Sequence, residues 1–312
     1  MLREGETVGV VDMGAGTRAE EQIVELMLGE IAGDVARVTA GASSRTAPRP
    51  DVVARLSARQ LKAKRRLHDV SLDLHPGEVL GIVALEGQGQ DELFEILAGS
   101  AKPVGGELLV DGRAVSFGHP ADAIRAGLVY VPADRAEALL MQRSVRENIA
   151  LPFSAAVRRW GPIDLRAERR KVDDGISTLQ IDTRAQGEVR RLSGGNQQKV
   201  TIARWVAGGV RTLLCFDPTR GIDIRTKTQI YGLLRDLAAE GAAVLLYTSE
   251  LKEIQLACDR AIVIFGGRVV AEMDAAAADE PALLRAAYDL PKDATSTGAA
   301  SDGTDLAAVI GS

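Results

Sequence analysis

The chain is poor in cysteine, aromatic residues and long apolar runs. Its two cysteines, Cys215 and Cys258, exclude a disulfide scaffold and a cysteine-rich zinc site. His68, His75 and His119 lie far apart in sequence and suggest no metal cluster. Aromatics make up only 4% of the residues, which argues against the stacking platforms of many single-strand nucleic-acid binders. No apolar run reaches the roughly 18 to 20 residues of a membrane span, and Met1-Leu2-Arg3-Glu4-Gly5 lacks the basic-then-apolar order of a signal peptide. A cytoplasmic chain is expected. Positive charge is also in deficit: 38 Lys and Arg against 43 Asp and Glu leave a net charge of -5, so no global basic field draws the chain to nucleic acid or anionic lipid. The short basic stretch LKAKRR at 61–66 reads as a solvated face beside a strand. What remains is a soluble α/β-type composition, 46% hydrophobic with 32 glycines in 312 residues, ample for a core without staples.

Alternating sheet and helix signals fill the middle of the chain. Val79 to Ala84 is an apolar strand candidate, followed by a glycine turn and an amphipathic helix opening with Glu92-Leu93-Phe94. Leu213 to Phe216 and Ala243 to Tyr247 read as further buried strands, and together these predict an α/β core with a mainly parallel sheet. Residues 142–206 read as largely helical, an inserted helical subdomain spanning about 135–206. Ala261 to Phe265 and Arg268 to Ala271 flank Gly266-Gly267 as a hairpin, and Asp279 to Tyr288 reads as a helix. GETVGVVD at 5–12 lines up with GRVVAEMD at 267–274, each followed by small residues and a helix; chance likeness over so short a window is the competing explanation. Residues 31–59 include a linker rich in Ser, Ala, Pro and Arg, and 291–312 read as a mostly disordered tail.

Strand, glycine loop and helix together make a phosphate cradle when close amides hold the phosphates, a lysine reaches the β/γ oxygens and a hydroxyl binds magnesium. In the window ALEGQGQD, Gly87 and Gly89 survive, while Gln90 stands at the lysine position and Asp91 at the hydroxyl position. Gln88 lies between the glycines. Gln90 can donate a hydrogen bond but cannot neutralise phosphate, and Asp91 adds negative charge where magnesium and triphosphate would meet.

The most specific string is Leu192-Ser193-Gly194-Gly195-Asn196-Gln197-Gln198-Lys199-Val200. Physically it is a serine capping a helix, followed by glycines that leave amides exposed to an anion. A plain helix cap is the competing reading. On this string the chain resembles the ATP-binding cassette family, particularly the ATPase subunits of bacterial sugar importers of the ribose, galactose and xylose type, over about residues 60–290.

That resemblance implies a P-loop NTPase-like core with a mainly parallel sheet, an antiparallel β part and the inserted helical subdomain. It implies ATP and Mg2+ as cofactors, and a second cassette, membrane permease subunits and, indirectly, a sugar-binding protein as partners. No nucleic-acid partner is expected. Such proteins usually carry two cassettes, and residues 1–30 resemble the tail of a first one preceding a second cassette at 60–290. Ser193, Gly194, Gly195 and Gln197 then correspond to signature residues that meet ATP held by the opposite cassette.

Several positions depart from the family pattern. LLCFDPTRGID at 213–223 places Phe216 where the magnesium-binding aspartate belongs and Asp217 where the catalytic glutamate belongs, one methylene short as a base. A shifted register would make Asp217 the metal aspartate but break the Pro-Thr pattern. Asp223 matches the interface-loop aspartate and also reads as a helix cap, and Ser249 occupies the switch position. In Pro132-Ala133-Asp134-Arg135, Ala133 replaces an acidic or amide side chain and leaves Asp134 and Arg135 as a structural pair. Arg143-Ser144-Val145-Arg146-Glu147-Asn148-Ile149 resembles the landmark near the permease surface, with a solvated helix start as the alternative. No aromatic precedes the phosphate loop to stack on adenine. The expectation is a weak or inactive own site and a working signature, with a non-hydrolytic scaffold or the product of a split gene as alternatives.

Overall fold

Val79–Ala84 is apolar at nearly every position, as befits a strand covered on both faces, and it sits near the centre of the larger sheet. The computed structural model describes residues 2–3, 6–7, 52–154, 165–181, 187–209 and 211–290. The short strands β1 (Leu2–Arg3) and β2 (Glu6–Thr7) pair antiparallel. Next come β3 (Leu56–Lys62), β4 (Val70–Leu74), β5 (Val79–Ala84) and helix α1 (Gln90–Leu97). They are followed by β6 (Gly105–Val110), β7 (Arg113–Val115), α2 (Pro120–Arg125) and β8 (Leu128–Val131). The helical part comprises α3 (Arg135–Ala138), α4 (Val145–Ser154), α5 (Leu165–Thr178) and α6 (Gly194–Val206). The core resumes with β9 (Thr212–Phe216), α7 (Ile224–Ala239), β10 (Ala243–Tyr247), α8 (Leu251–Ala257), β11 (Arg260–Phe265), β12 (Arg268–Asp274) and α9 (Glu280–Ala287).

Six strands form one sheet in the order β12-β11-β5-β10-β9-β8, parallel except for β12, and four form an antiparallel sheet in the order β4-β3-β6-β7. Side chains on the parallel strands alternate between two cores. Val79 and Val83, Leu213 and Cys215, and Val244 and Leu246 face the helical side. Leu80 and Ile82, Leu214, and Leu245 and Tyr247 face the antiparallel sheet. The mainly parallel sheet, the antiparallel part and the inserted helices are therefore as the sequence predicts.

Local chemistry sets the element ends. Gly266 and Gly267 close the β11–β12 hairpin with φ of +54° and +70°, the left-handed pair that a two-residue hairpin turn requires. Asp223 caps α7 by accepting from the Thr226 N–H at 3.0 Å, and Asp279 caps α9 by accepting from the Ala282 N–H at 2.8 Å. β3 begins at Leu56, inside the segment read as a linker, and Leu56 and Ala58 on it are fully buried. Most of the stretch at 5–12, the helix expected after it, the linker up to residue 51 and the tail from 291 lie outside the described residues.

Candidate functional site

The β5–α1 connection keeps the backbone of a phosphate cradle. Gly87 and Gly89 hold φ of +78° and +100°, and Gly89 stands at the N-cap of α1 with no side chain capping the helix. The side chains have been reassigned. Gln90 is only 2% exposed, and its Oε1 accepts the Gln88 N–H at 2.9 Å, so one loop amide is satisfied internally. Gln88 Oε1 in turn accepts the Gly266 N–H at 2.7 Å, tying the loop to the β11–β12 hairpin. Asp91 is exposed in the first turn of α1.

Phe216, at the position where the resemblance implies a magnesium-binding aspartate, belongs to an aromatic cluster. Phe216 and Tyr247 are paired residues on adjacent parallel strands, and their ring centroids are 4.6 Å apart. Phe94 of α1 meets Phe216 edge-on at 5.2 Å, and Tyr130 of β8 extends the group at 6.4 Å from Phe94. Burial pushes the Tyr130 hydroxyl up to about 12, helped by the charges of Glu137, Asp91 and Glu95. Tyr247 is raised for the same first reason, burial, and then by Asp217, Asp91 and Glu86, with a hydrogen bond from Gln90 opposing them. The site is thus rimmed with negative charge.

Asp217 and Ser249 follow the neighbouring strands β9 and β10, and their side chains meet. The Ser249 hydroxyl donates to one Asp217 carboxylate oxygen at 3.0 Å and the Ser249 N–H approaches the other at 3.4 Å. Asp217 is 5% exposed and sits at φ +46°, an uncommon conformation for a residue with a Cβ, held by its N–H donating to the Tyr247 carbonyl at 2.8 Å. Beside it lies a buried network that the sequence reading missed. The Thr219 hydroxyl shares a hydrogen bond with the Tyr231 hydroxyl at 2.6 Å and donates to Glu253, which also accepts from Thr248 and from Lys227 Nζ at 3.1 Å. Only long-range packing assembles these five residues, so no local motif announces them.

The signature segment forms a second surface. Ser193 caps α6, is exposed, and accepts from the Asn196 N–H at 3.3 Å and the Asn196 side chain at 3.2 Å. Gly194 lies beside the Arg135 guanidinium, where an added Cβ would come 3.2 Å from Nη2. Gly195 is buried against α7, and a Cβ there would fall 2.5 Å from Thr226 Cγ2. Gln197, expected to face outward with them, instead donates to the Val189 and Leu192 carbonyls at 3.2 Å each and braces the turn before the helix. Asp134 and Arg135, expected as a pair, separate: Asp134 caps α3 through the Ala136 N–H, while Arg135 donates to the Arg220 carbonyl at 3.3 Å.

These residues fit a phosphate chain better than they fit a metal ion. The uncapped start of α1 and the two left-handed glycines leave a backbone cradle. Gln90, Asp91 and Phe216 stand where the family resemblance leads one to expect a lysine, a hydroxyl and a metal carboxylate, and no group of three or more His, Cys, Asp or Glu that could hold a metal exists among the described residues.

Comparison with known proteins follows the same lines. A family profile described as ABC transporter matches residues 67–220. The chain is 40% identical over 283 residues to the Ribose import ATP-binding protein RbsA 1 of Rhizobium johnstonii, covering 89% of this chain and 54% of that protein. It is 38% identical over 294 residues to RbsA 1 of Mesorhizobium japonicum, covering 93% of this chain and 56% of that protein. The chain therefore spans about half the length of the curated relatives it matches. CbiO1 of Clostridium perfringens, part of the ABC transporter complex cbiONQ, shares the fold with a TM-score of 0.64 at 24% identity, over 74% of this chain and 93% of that one. On the profile, the fold and the relatives together, the chain belongs to the ABC-transporter ATPases and is homologous to RbsA-type sugar-import ATP-binding proteins.

Proposed function

We propose that this chain is an ATP-binding subunit of a sugar importer, in which its own nucleotide site does not turn over and its signature segment completes the site of a second cassette. The observation that carries this reading is the contrast between two surfaces. Phe216 packs its ring on Tyr247 and Phe94 where a metal carboxylate would be required, while Ser193 stands exposed at the start of α6. An exposed N-cap with no acidic residue in the first turn favours an approaching anion. Arg135 beside Gly194 adds a cation to the same surface.

The relatives' names supply the substrate class, a sugar. The partners are a second cassette, permease subunits and a sugar-binding protein, and the chain works peripherally on the cytoplasmic face. No helix among the described residues is long and apolar enough to cross a membrane, in keeping with a separate permease. Asp217 and Ser249 keep each other hydrogen-bonded rather than activating water, and Asp223 holds the start of α7 against the signature helix through Thr226.

The test is ATP turnover by this chain alone and in complex with its partner cassette. The chain alone should be nearly inactive and the complex active. Ser193→Glu, which sets negative charge against the partner's triphosphate, should remove most of the complex's activity, whereas Asp217→Asn should leave it largely intact. Rapid magnesium-dependent hydrolysis by the isolated chain, abolished by Asp217→Asn, would overturn the proposal.

A further inference from the structure

Losing the loop lysine leaves three carboxylates, Glu86, Asp91 and Asp217, acting on one buried tyrosine beneath the phosphate cradle, with no cation from the loop itself. A nucleotide's phosphate chain entering such a site needs positive charge from elsewhere. Among the described residues, Arg66 places a cation against the loop. The segment before β4 folds over it, and a Cβ placed on Gly87 would meet Arg66 Nη1 at 2.1 Å and Cζ at 3.0 Å, so the guanidinium lies directly on the glycine.

Arg66 is also fastened there by its backbone. The Arg66 and Leu67 N–H groups both donate to Glu92 Oε2 at 2.8 Å, which fixes this segment to the first turn of α1. The Arg66 carbonyl packs on two further glycines: a Cβ on Gly89 would come within 2.8 Å of it and a Cβ on Gly267 within 1.9 Å. The main chain of Arg66 is thus wedged between the phosphate loop and the β11–β12 hairpin, while its side chain is exposed and makes no ion pair among the described residues. Its planar fork of N–H donors retains full capacity for phosphate oxygens.

We propose that Arg66 supplies the phosphate-binding cation of this cassette, in place of the missing loop lysine, and that it holds a nucleotide's phosphates without magnesium. Glu92 positions Arg66 by anchoring its backbone. The inference deepens the preceding reading of an own site that holds nucleotide without turning it over, and it rests on that reading. It differs in what it requires: a specific side chain outside the loop, and binding indifferent to metal.

The experiment is equilibrium binding of a fluorescent ATP analogue to the full chain, with magnesium and with excess chelator. Wild type should bind equally in both. Arg66→Ala should weaken binding by about tenfold or more, the loss of a charge-assisted contact, and Arg66→Lys should recover part of it. Arg65→Ala removes the same charge from the neighbouring position and should change affinity by less than about threefold, since exposed charge at a distance is screened. Tripolyphosphate should displace the analogue from wild type and adenosine should not, which assigns the contact to the phosphates. Equal losses for Arg65→Ala and Arg66→Ala, binding that needs magnesium, or no binding by a folded wild-type chain would each overturn the proposal. None of these outcomes alters the Ser193→Glu test, which is read on the partner's turnover.

Discussion

Phe216 is a packing residue at the end of β9. Its ring contacts Tyr247 across the parallel β9–β10 pair and Phe94 from α1, so it joins the sheet to the helix that follows the phosphate loop. Truncation would open a void between elements that cannot close freely. Phe216→Ala should therefore destabilise the fold by about 3 kcal/mol, read as a lower urea midpoint at an unchanged slope. Phe216→Asp should cost at least as much, because a carboxylate among aromatic rings and beside Asp217 has no cation within the cluster. If Phe216→Asp were instead as stable as wild type and gained magnesium-dependent turnover, the ring would be filling a site that is still functional. The register with Pro218-Thr219-Arg220-Gly221 leads one to expect Phe216 at the metal-aspartate position. The destination of the ring was not legible, since it depends on the pairing with Tyr247 and on where α1 docks, both set by chain far away.

At the scale of elements, the signature helix α6 and the interface helix α7 meet start to start. Gly195 makes this possible, because Thr226 occupies the space a side chain would need, and Thr226 Oγ1 is itself held by Asp223 Oδ2 at 2.8 Å. Gly195→Ala should cost about 1–3 kcal/mol by forcing the two helix starts apart. Thr226→Ala removes the obstructing Cγ2 and Oγ1 together, so the double variant should be less destabilised than the sum of the singles by about 1 kcal/mol. Urea midpoints of the four proteins measure this, and strict additivity would mean that the helices separate without strain. Ser193 and Asp223 were both readable as caps, since a short polar side chain before a helix start is a local signal. Gln197 was read with Ser193 as a residue facing a partner; at this position the carbonyls of the preceding turn, Val189 and Leu192, take its amide instead. The strands at 79–84, 213–216 and 243–247 were legible from apolar runs alone, whereas β4, β6 and β7 of the antiparallel sheet were not. The start of β3 was missed because Leu56 and Ala58 sit within a polar stretch whose alternation matters only against the antiparallel sheet.

Across the whole molecule, the helical part must move with the signature it carries if it is to transmit anything. A buried arginine makes that connection. Arg204 of α6 donates to the Asn148 carbonyl at 2.9 Å, the Asn148 side-chain oxygen at 3.0 Å and the Ala138 carbonyl at 2.6 Å. Asn148, fully buried, hydrogen-bonds the Leu140 N–H at 2.8 Å and the Ser144 carbonyl at 3.1 Å, so α3, α4 and α6 share one polar centre. Removing the guanidinium leaves three acceptors without that donor in the interior, and Arg204→Ala should destabilise the fold by about 3 kcal/mol. The effect should be local. Hydrogen exchange should rise first in α3 and α4, with the amides of β5, β9 and β10 keeping their protection at low denaturant, because those strands pair independently of Arg204. Under the function proposed above, the same variant should lower sugar transport more than partner ATP turnover, since the helices ahead of α6 lose their attachment to it while the Ser193 cap stays in place. Exchange rising equally in sheet and helices would show one cooperative unit, and transport would then fall only in proportion to the folded fraction.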